Sequence, residues 1–175
     1  MHRIQVYQGD ITQLQVDAIV NAANSSLNGG GGVDGAIHRA AGSQLMEACL
    51  QLNGCPTGQV KMTHGFDLPA RYVLHAVGPI WQDGNHSEAE LLASCYRNAL
   101  DISASERFRS IAFPAISCGV YRFPAEQAVD IAVREVVTAL ANNDHLEEVI
   151  FCCFDEEMAE RYRQKLHVAG GPNDA

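Results

Sequence analysis

Short aliphatic and β-branched runs alternate along the 175-residue chain with longer stretches whose apolar residues recur every three or four positions. Residues 4–7, 18–21, 59–63, 72–76, 110–113 and 148–153 read as strands. Residues 33–41, 44–52, 87–105, 125–141 and 156–167 read as helices. In the fourth helix, Ala128, Ile131, Ala132 and Val136 fall near helical spacing, and Pro124 sits where a first-turn proline is tolerated. Strands and helices interleaved from end to end predict an α/β layer fold. With no repeat or internal linker, the expectation is one domain over residues 1–169, followed by a disordered tail at 170–175.

Composition narrows the classes. A chain with 47% apolar and 19% charged residues can bury a core without staples. Nothing approaches the roughly 18 unbroken apolar residues of a membrane span, and the start, Met1-His2-Arg3-Ile4, has no apolar signal core. A cytoplasmic protein without membrane partners is expected. The six cysteines make no Cys-x-x-Cys pair and the seven histidines no His-x-x-x-His pair, so reduced thiols are expected and no metal is implied. A net charge of −9 argues against gripping a nucleic-acid backbone, which needs clustered Lys and Arg. An anionic ligand would instead have to be held by backbone N–H groups and helix N-termini.

Residues 21–42 are the most informative segment. A strand ends in Asn21-Ala22-Ala23-Asn24, passes through Gly29-Gly30-Gly31-Gly32 and enters a helix at Val33-Asp34-Gly35. Without Cβ atoms such a loop can turn its amides inward and let a pyrophosphate approach the backbone. Gly30-x-Gly32-x-x-Gly35 formally satisfies a dinucleotide fingerprint. That fingerprint follows its strand at once and is answered by an acidic residue ending the next strand about 20 residues on; here that distance falls inside a second helix. No Gly-Lys-Ser/Thr follows, which removes a P-loop, and a linker would not be clamped between an apolar strand and a helix. A second glycine-bearing turn, Ile116-Ser117-Cys118-Gly119-Val120-Tyr121, follows another strand. Two anion-cradling junctions suit a ligand with two linked phosphates, bound at the carboxyl ends of strands.

Gly9-Asp10-Ile11-Thr12, Asn21-Ala22-Ala23-Asn24, the Gly29 to Gly42 stretch, His75-Ala76-Val77-Gly78-Pro79 and Pro114-Ala115-Ile116-Ser117 together resemble, in order, the motifs of macrodomains. The run Gly31-Gly32-Val33-Asp34-Gly35-Ala36-Ile37-His38 is most similar to the bacterial O-acetyl-ADP-ribose deacetylase branch. The resemblance implies a three-layer α/β/α fold around a mixed, mostly parallel sheet of about six strands. It implies ADP-ribose and its O-acyl esters as ligands, no cofactor, and a metal-independent hydrolysis of esters on the distal ribose.

By the same resemblance, Asp10 accepts from the adenine amino group and the Ile11 amide serves the ring. Phe154 lies against the adenine. Asn24 holds distal ribose hydroxyls, while Gly31, Gly32 and Val33 line the pyrophosphate and that ribose. Ser117, Cys118, Gly119, Val120 and Tyr121 form the second phosphate loop, with Tyr121 a candidate gate. Asp34 and Asn24 are the catalytic candidates, Asp34 orienting or deprotonating the attacking water; activation by a ligand phosphate is the alternative. The family commonly has Thr at the position of Cys118 and often Tyr at that of Phe154. Neither change should matter much, because backbone amides bind the phosphates and Phe keeps an aromatic face.

Each residue also has a plainer reading. Asp34 could simply sit in a first helical turn favoured by the dipole, and Asn21 is expected as a turn residue closing its strand. Cys118 lacks a sequence-adjacent histidine and is not expected as a nucleophile. His38, at i+4 from Asp34, and His75 are expected as packed rather than catalytic. The same ester hydrolysis extends to mono-ADP-ribose on Asp or Glu side chains of proteins; the competing functions are a non-catalytic ADP-ribose reader and a regulator contacting a double-strand-specific endoribonuclease.

Overall fold

The computed structural model describes residues 3–170; of the tail expected at 170–175, Gly170 closes the last helix and the remainder lies outside the described residues. Six strands, β1 (Ile4–Gln8), β2 (Ala18–Ala22), β3 (Val60–His64), β4 (Tyr72–Ala76), β5 (Ser110–Phe113) and β6 (Glu148–Cys153), form one sheet in the order β1-β6-β5-β2-β4-β3. All neighbours are parallel except β3, which runs antiparallel to β4. The mixed, mostly parallel sheet is the one expected.

The inner strands are apolar on both faces, as a parallel sheet covered on two sides requires. Ala18, Val20, Leu74, Ile111, Phe113, Val149 and Phe151 face the core beneath α3 (Glu88–Ser105), α4 (Ala125–Leu140) and α5 (Glu156–Gly170). The alternate positions Ile19, Val73, Ala112 and Ile150 face α1 (Gly32–Ala41) and α2 (Ser43–Gln51), with Ile37 and Leu45 packed on them. Three layers result. Asn21 and His75 are in phase with Ile19 and Val73, so two polar side chains enter the α1/α2 core.

β4, β5 and β6 keep their expected limits, the other elements shift by one residue at one or both ends, and α5 runs three residues further, to Gly170; two local features bear on the site edge. A 3-10 turn at Ile11–Gln13 follows β1, capped by the Asp10 side chain. Helix α3 begins at Glu88 because Ser87 holds a left-handed φ of +61°. Glu88 itself is buried, and its carboxylate accepts N–H bonds from Gln82, Asp83, Gly84 and His86 at 2.7–3.2 Å. Burial pushes this carboxyl up, but the backbone N–H bonds outweigh it and hold it at about 2. Asp83 and His86 lie close to it, but with Glu88's oxygens already engaged by four amides the trio is a loop clamp. Among the described residues no helix is long and apolar enough to cross a membrane.

Candidate active site

Because β1, β6, β5, β2 and β4 run in one direction, their carboxyl ends share one edge of the sheet. That edge carries, in spatial order, Asp10 after β1, Phe154 after β6, the Ser117 to Tyr121 turn after β5, Asn24 and the glycine loop after β2, and Gly78 after β4. Residues scattered over 145 positions of sequence are thus set in a row by topology.

At one end, Asp10 and Phe154 follow paired strands, tied by Gly9 N–H donating to the Cys153 carbonyl at 3.1 Å. Asp10 Oδ1 accepts from the Thr12 amide and hydroxyl at 2.9 and 2.7 Å, leaving Oδ2 for another donor. Phe154 is 86% exposed, an aromatic face that nothing in the protein covers, whereas Ile11 is buried.

In the middle, α1 opens at Gly31 with no side-chain cap, so its first-turn amides have no partner within the helix. A Cβ at Gly31, Gly32 or Gly119 would meet no protein atom within 4 Å, so both glycine turns present bare backbone to open space. The second turn is held by Phe123 N–H on the Ser117 carbonyl at 2.9 Å and Trp81 N–H on the Tyr121 carbonyl at 2.8 Å. Ser117 takes a left-handed φ of +65°, and its hydroxyl is buried without a partner, pressed against Gly78. Val120 points out at 90% exposure and Tyr121 is half-buried.

The surroundings of Cys118 disfavour its thiolate. Burial pushes its thiol up to about 11, against the weaker opposing pull of Arg161, so the thiolate is scarce at neutral pH. Cys118→Ser is expected to keep turnover within about twofold of wild type, read from initial rates.

At the other end stands Asp34, in the first turn of α1 and only 5% exposed. Its Oδ1 accepts from Asn21 Nδ2 at 2.9 Å and lies 3.4 Å from His38 Nε2. Its Oδ2 faces Gly30, where a Cβ would stand 3.4 Å away with Asn24 Nδ2 close by. One oxygen is therefore tied into the core and the other looks into the glycine loop. Asn24 shapes that loop by donating to the Gly29 carbonyl at 2.8 Å. Beside it, a cavity of about 280 Å³ is lined by Ser25, Thr57, Gly78, Ile80, Leu91 and Tyr121.

The expectation for Asn21 needs correcting. It does not close the strand: β2 continues to Ala22, and Asn21 is fully buried with its amide on Asp34. The same Nδ2 lies 3.1 Å from Nδ1 of His75, whose Nε2 lies 3.0 Å from Thr63 Oγ1 and 3.7 Å from Cys49 Sγ. The available signal was polar residues at 21 and 75 in phase with the apolar positions 19 and 73.

Burial holds the His75 imidazole down at about 4, with His38 adding to the effect. Between its ordinary 6.5 and about 4 the unfolded chain takes up a proton that the folded chain refuses. Stability from this group is complete above about pH 6.5 and falls as pH drops toward 4, by about 3 kcal/mol in total. Urea denaturation at pH 7.5 and 4.5 should show this loss, and His75→Gln should flatten it.

The macro domain family profile matches residues 20–132. This chain belongs to the macro domain family. It is 57% identical over 162 residues to a macro domain-containing protein of Mesorhizobium japonicum, covering 93% of this chain and 92% of that one. It is 56% identical over 166 residues to a Klebsiella pneumoniae protein named O-acetyl-ADP-ribose deacetylase, covering 93% and 95%. A solved Oceanobacillus iheyensis macrodomain variant with ADPR superposes with a TM-score of 0.90 at 44% identity, over 94% of this macro domain and 91% of that chain.

Proposed function

We propose that this macro domain binds ADP-ribose along the carboxyl edge of its sheet and hydrolyses acyl esters on the distal ribose, releasing ADP-ribose and the acid. The observation that carries the reading is the order of groups on that edge: an aromatic face and a free carboxylate oxygen, two turns of bare amides, then a buried carboxylate. β1 to β2 is three strand spacings, about 14 Å, which calls for an extended ligand. Adenine takes the Asp10, Ile11 and Phe154 end. The diphosphate lies on the amides of Gly31, Gly32 and Val33 and of Ser117 to Tyr121. Such a site holds an anion without basic side chains, in keeping with the net charge of −9. The Klebsiella relative's name and the ligand of the Oceanobacillus neighbour support both halves of the reading.

At the ester end, Asp34 Oδ2 orients a water and accepts its proton as the water attacks the acyl carbon. The carbonyl becomes a tetrahedral intermediate, whose collapse expels the ribose oxygen; that oxygen takes the proton back from Asp34 and leaves as a hydroxyl, regenerating the carboxylate. Asn24 holds the ribose hydroxyls, and Tyr121 closes over the sugar. The cavity past Ser25 and Tyr121 gives the acyl side room to extend, so mono-ADP-ribosylated Asp or Glu, the same ester chemistry, belongs to the substrate class. Acetate release from O-acetyl-ADP-ribose tests the reading. Steady turnover supports it, whereas tight ADP-ribose binding with no acetate released would make the protein a reader.

A further inference from the structure

Behind Asp34 lies a chain of polar groups that a close-packed core does not need. Asn21 on β2 and His75 on β4 are register partners, both fully buried. Their strand neighbours Ile19, Val20, Val73 and Leu74 are apolar and equally buried. A histidine here carries a desolvation cost that an aliphatic residue would avoid.

The hydrogen bonds fix one arrangement. Asp34 Oδ1, as a carboxylate oxygen, can only accept, so the group facing it at 2.9 Å is the Asn21 amide nitrogen. That nitrogen can only donate, so His75 Nδ1, 3.1 Å away, accepts and carries no proton. The ring proton is then on Nε2 and is donated to Thr63 Oγ1 at 3.0 Å. Asn21 Oδ1 is left buried with no partner. The amide thus keeps both N–H bonds and forgoes the bond its oxygen could make. Turned over, it would set its oxygen against the Asp34 carboxylate.

We infer that His75 is a positioning residue for Asp34, acting through the Asn21 amide, with Thr63 selecting the Nε2-protonated tautomer that makes this possible. The inference rests on Asp34 being the group that activates water. By holding Oδ1, the chain leaves Oδ2 aimed at the glycine loop. A charged or Nδ1-protonated imidazole would oppose one N–H with another and release the amide. Around the ring stand Asn21 from β2, His38 from α1, Cys49 from α2 and Thr63 from β3, with Asp34 of α1 reached through the Asn21 amide; Lys61 of β3 is engaged by the Leu52 carbonyl.

The test compares wild type, His75→Leu, His75→Gln and Thr63→Val, the first two also in an Asp34→Ala background. It reads kcat on O-acetyl-ADP-ribose, ADP-ribose affinity and the ¹⁵N spectrum of the imidazoles. His75 is expected to stay neutral and Nε2-protonated from pH 8 to 5.5. His75→Leu should lower kcat about 10-fold with ADP-ribose affinity kept within about twofold, and cost nothing further once Asp34 is alanine. His75→Gln, whose side-chain oxygen can accept the Asn21 N–H, should recover part of the loss. Should His75→Leu not fold, Thr63→Val removes only a hydroxyl contact and is expected to lower kcat about threefold while admitting the other tautomer.

An Nδ1-protonated or charged His75 overturns the inference whatever the rates do. Unchanged kcat in His75→Leu, or the same fold loss with and without Asp34, also overturns it. If Asp34→Ala is inactive and neither His75 nor Thr63 variants lose rate, this inference alone falls. Full turnover by Asp34→Ala removes the reading of Asp34 and this inference together.

Discussion

Asp34→Ala is expected to lower the rate of O-acetyl-ADP-ribose hydrolysis by about 10² or more while ADP-ribose affinity stays within a few-fold of wild type. The split follows from where the charge sits. On the proposed reading the diphosphate rests on backbone amides of two turns, which the substitution leaves in place. The carboxylate is buried, with Oδ1 held by Asn21 and Oδ2 facing the loop, and under the proposed mechanism Oδ2 takes the proton from water. A 10²-fold loss corresponds to about 2.7 kcal/mol of transition-state stabilisation. The truncation also leaves one Asn21 N–H without an acceptor, so stability should fall by about 1–3 kcal/mol. Initial rates and calorimetric titration with ADP-ribose on both proteins separate the effects. Undiminished turnover in Asp34→Ala would mean that a ligand phosphate activates the water.

Gly35→Ala should give the second large effect, against what helix propensity alone suggests. Gly35 lies in α1, where alanine would ordinarily stabilise by about 1 kcal/mol. Here an added Cβ would stand 2.6 Å from the Gly30 carbonyl oxygen and 3.1 Å from Arg39 Nη1. The obstacle is backbone, so the glycine loop has to move off the helix. Overpacking of this kind costs about 1–3 kcal/mol, which outweighs the propensity gain. The displaced loop carries the amides proposed to hold the diphosphate and the wall opposite Asp34 Oδ2, so ADP-ribose affinity and kcat should each fall about 10-fold. Thermal melts and titration read both. A raised melting temperature with normal affinity would show that the loop has slack and that its contact with α1 does not position it.

Much of this architecture is legible in local pattern. Ser110–Phe113, Tyr72–Ala76 and Glu148–Cys153 fall on their expected limits, because short aliphatic runs bounded by turn residues leave few alternatives. The glycine loop announces backbone-held anions, and the negative net charge points the same way. At Ser87 and Asn21, where expectation and structure part, an unusual dihedral and a contact distant in sequence are responsible. Ser87 reads as helical from its neighbours, yet its left-handed φ delays α3 to Glu88, whose carboxylate is engaged by four amides of the preceding loop. Asn21 reads as a turn residue because Asn commonly ends strands. Its pairing with His75, 54 positions away, keeps it inside β2.

The sequence by itself determined the order of the elements, the layered fold, the two glycine-bearing turns and the resemblance that implies a ligand class, because periodicity, glycine placement and motif order are properties of neighbouring residues. Only the tertiary structure decided which oxygen of Asp34 is tied down and which is presented, that Asn21, His75 and Thr63 stand behind it, and that Cys118 is partly buried where its thiol is pushed up. Those outcomes depend on strand register and on which face of the sheet α1 and α2 cover. Both are set by burial of apolar surface across the whole chain, and no short stretch of sequence encodes them.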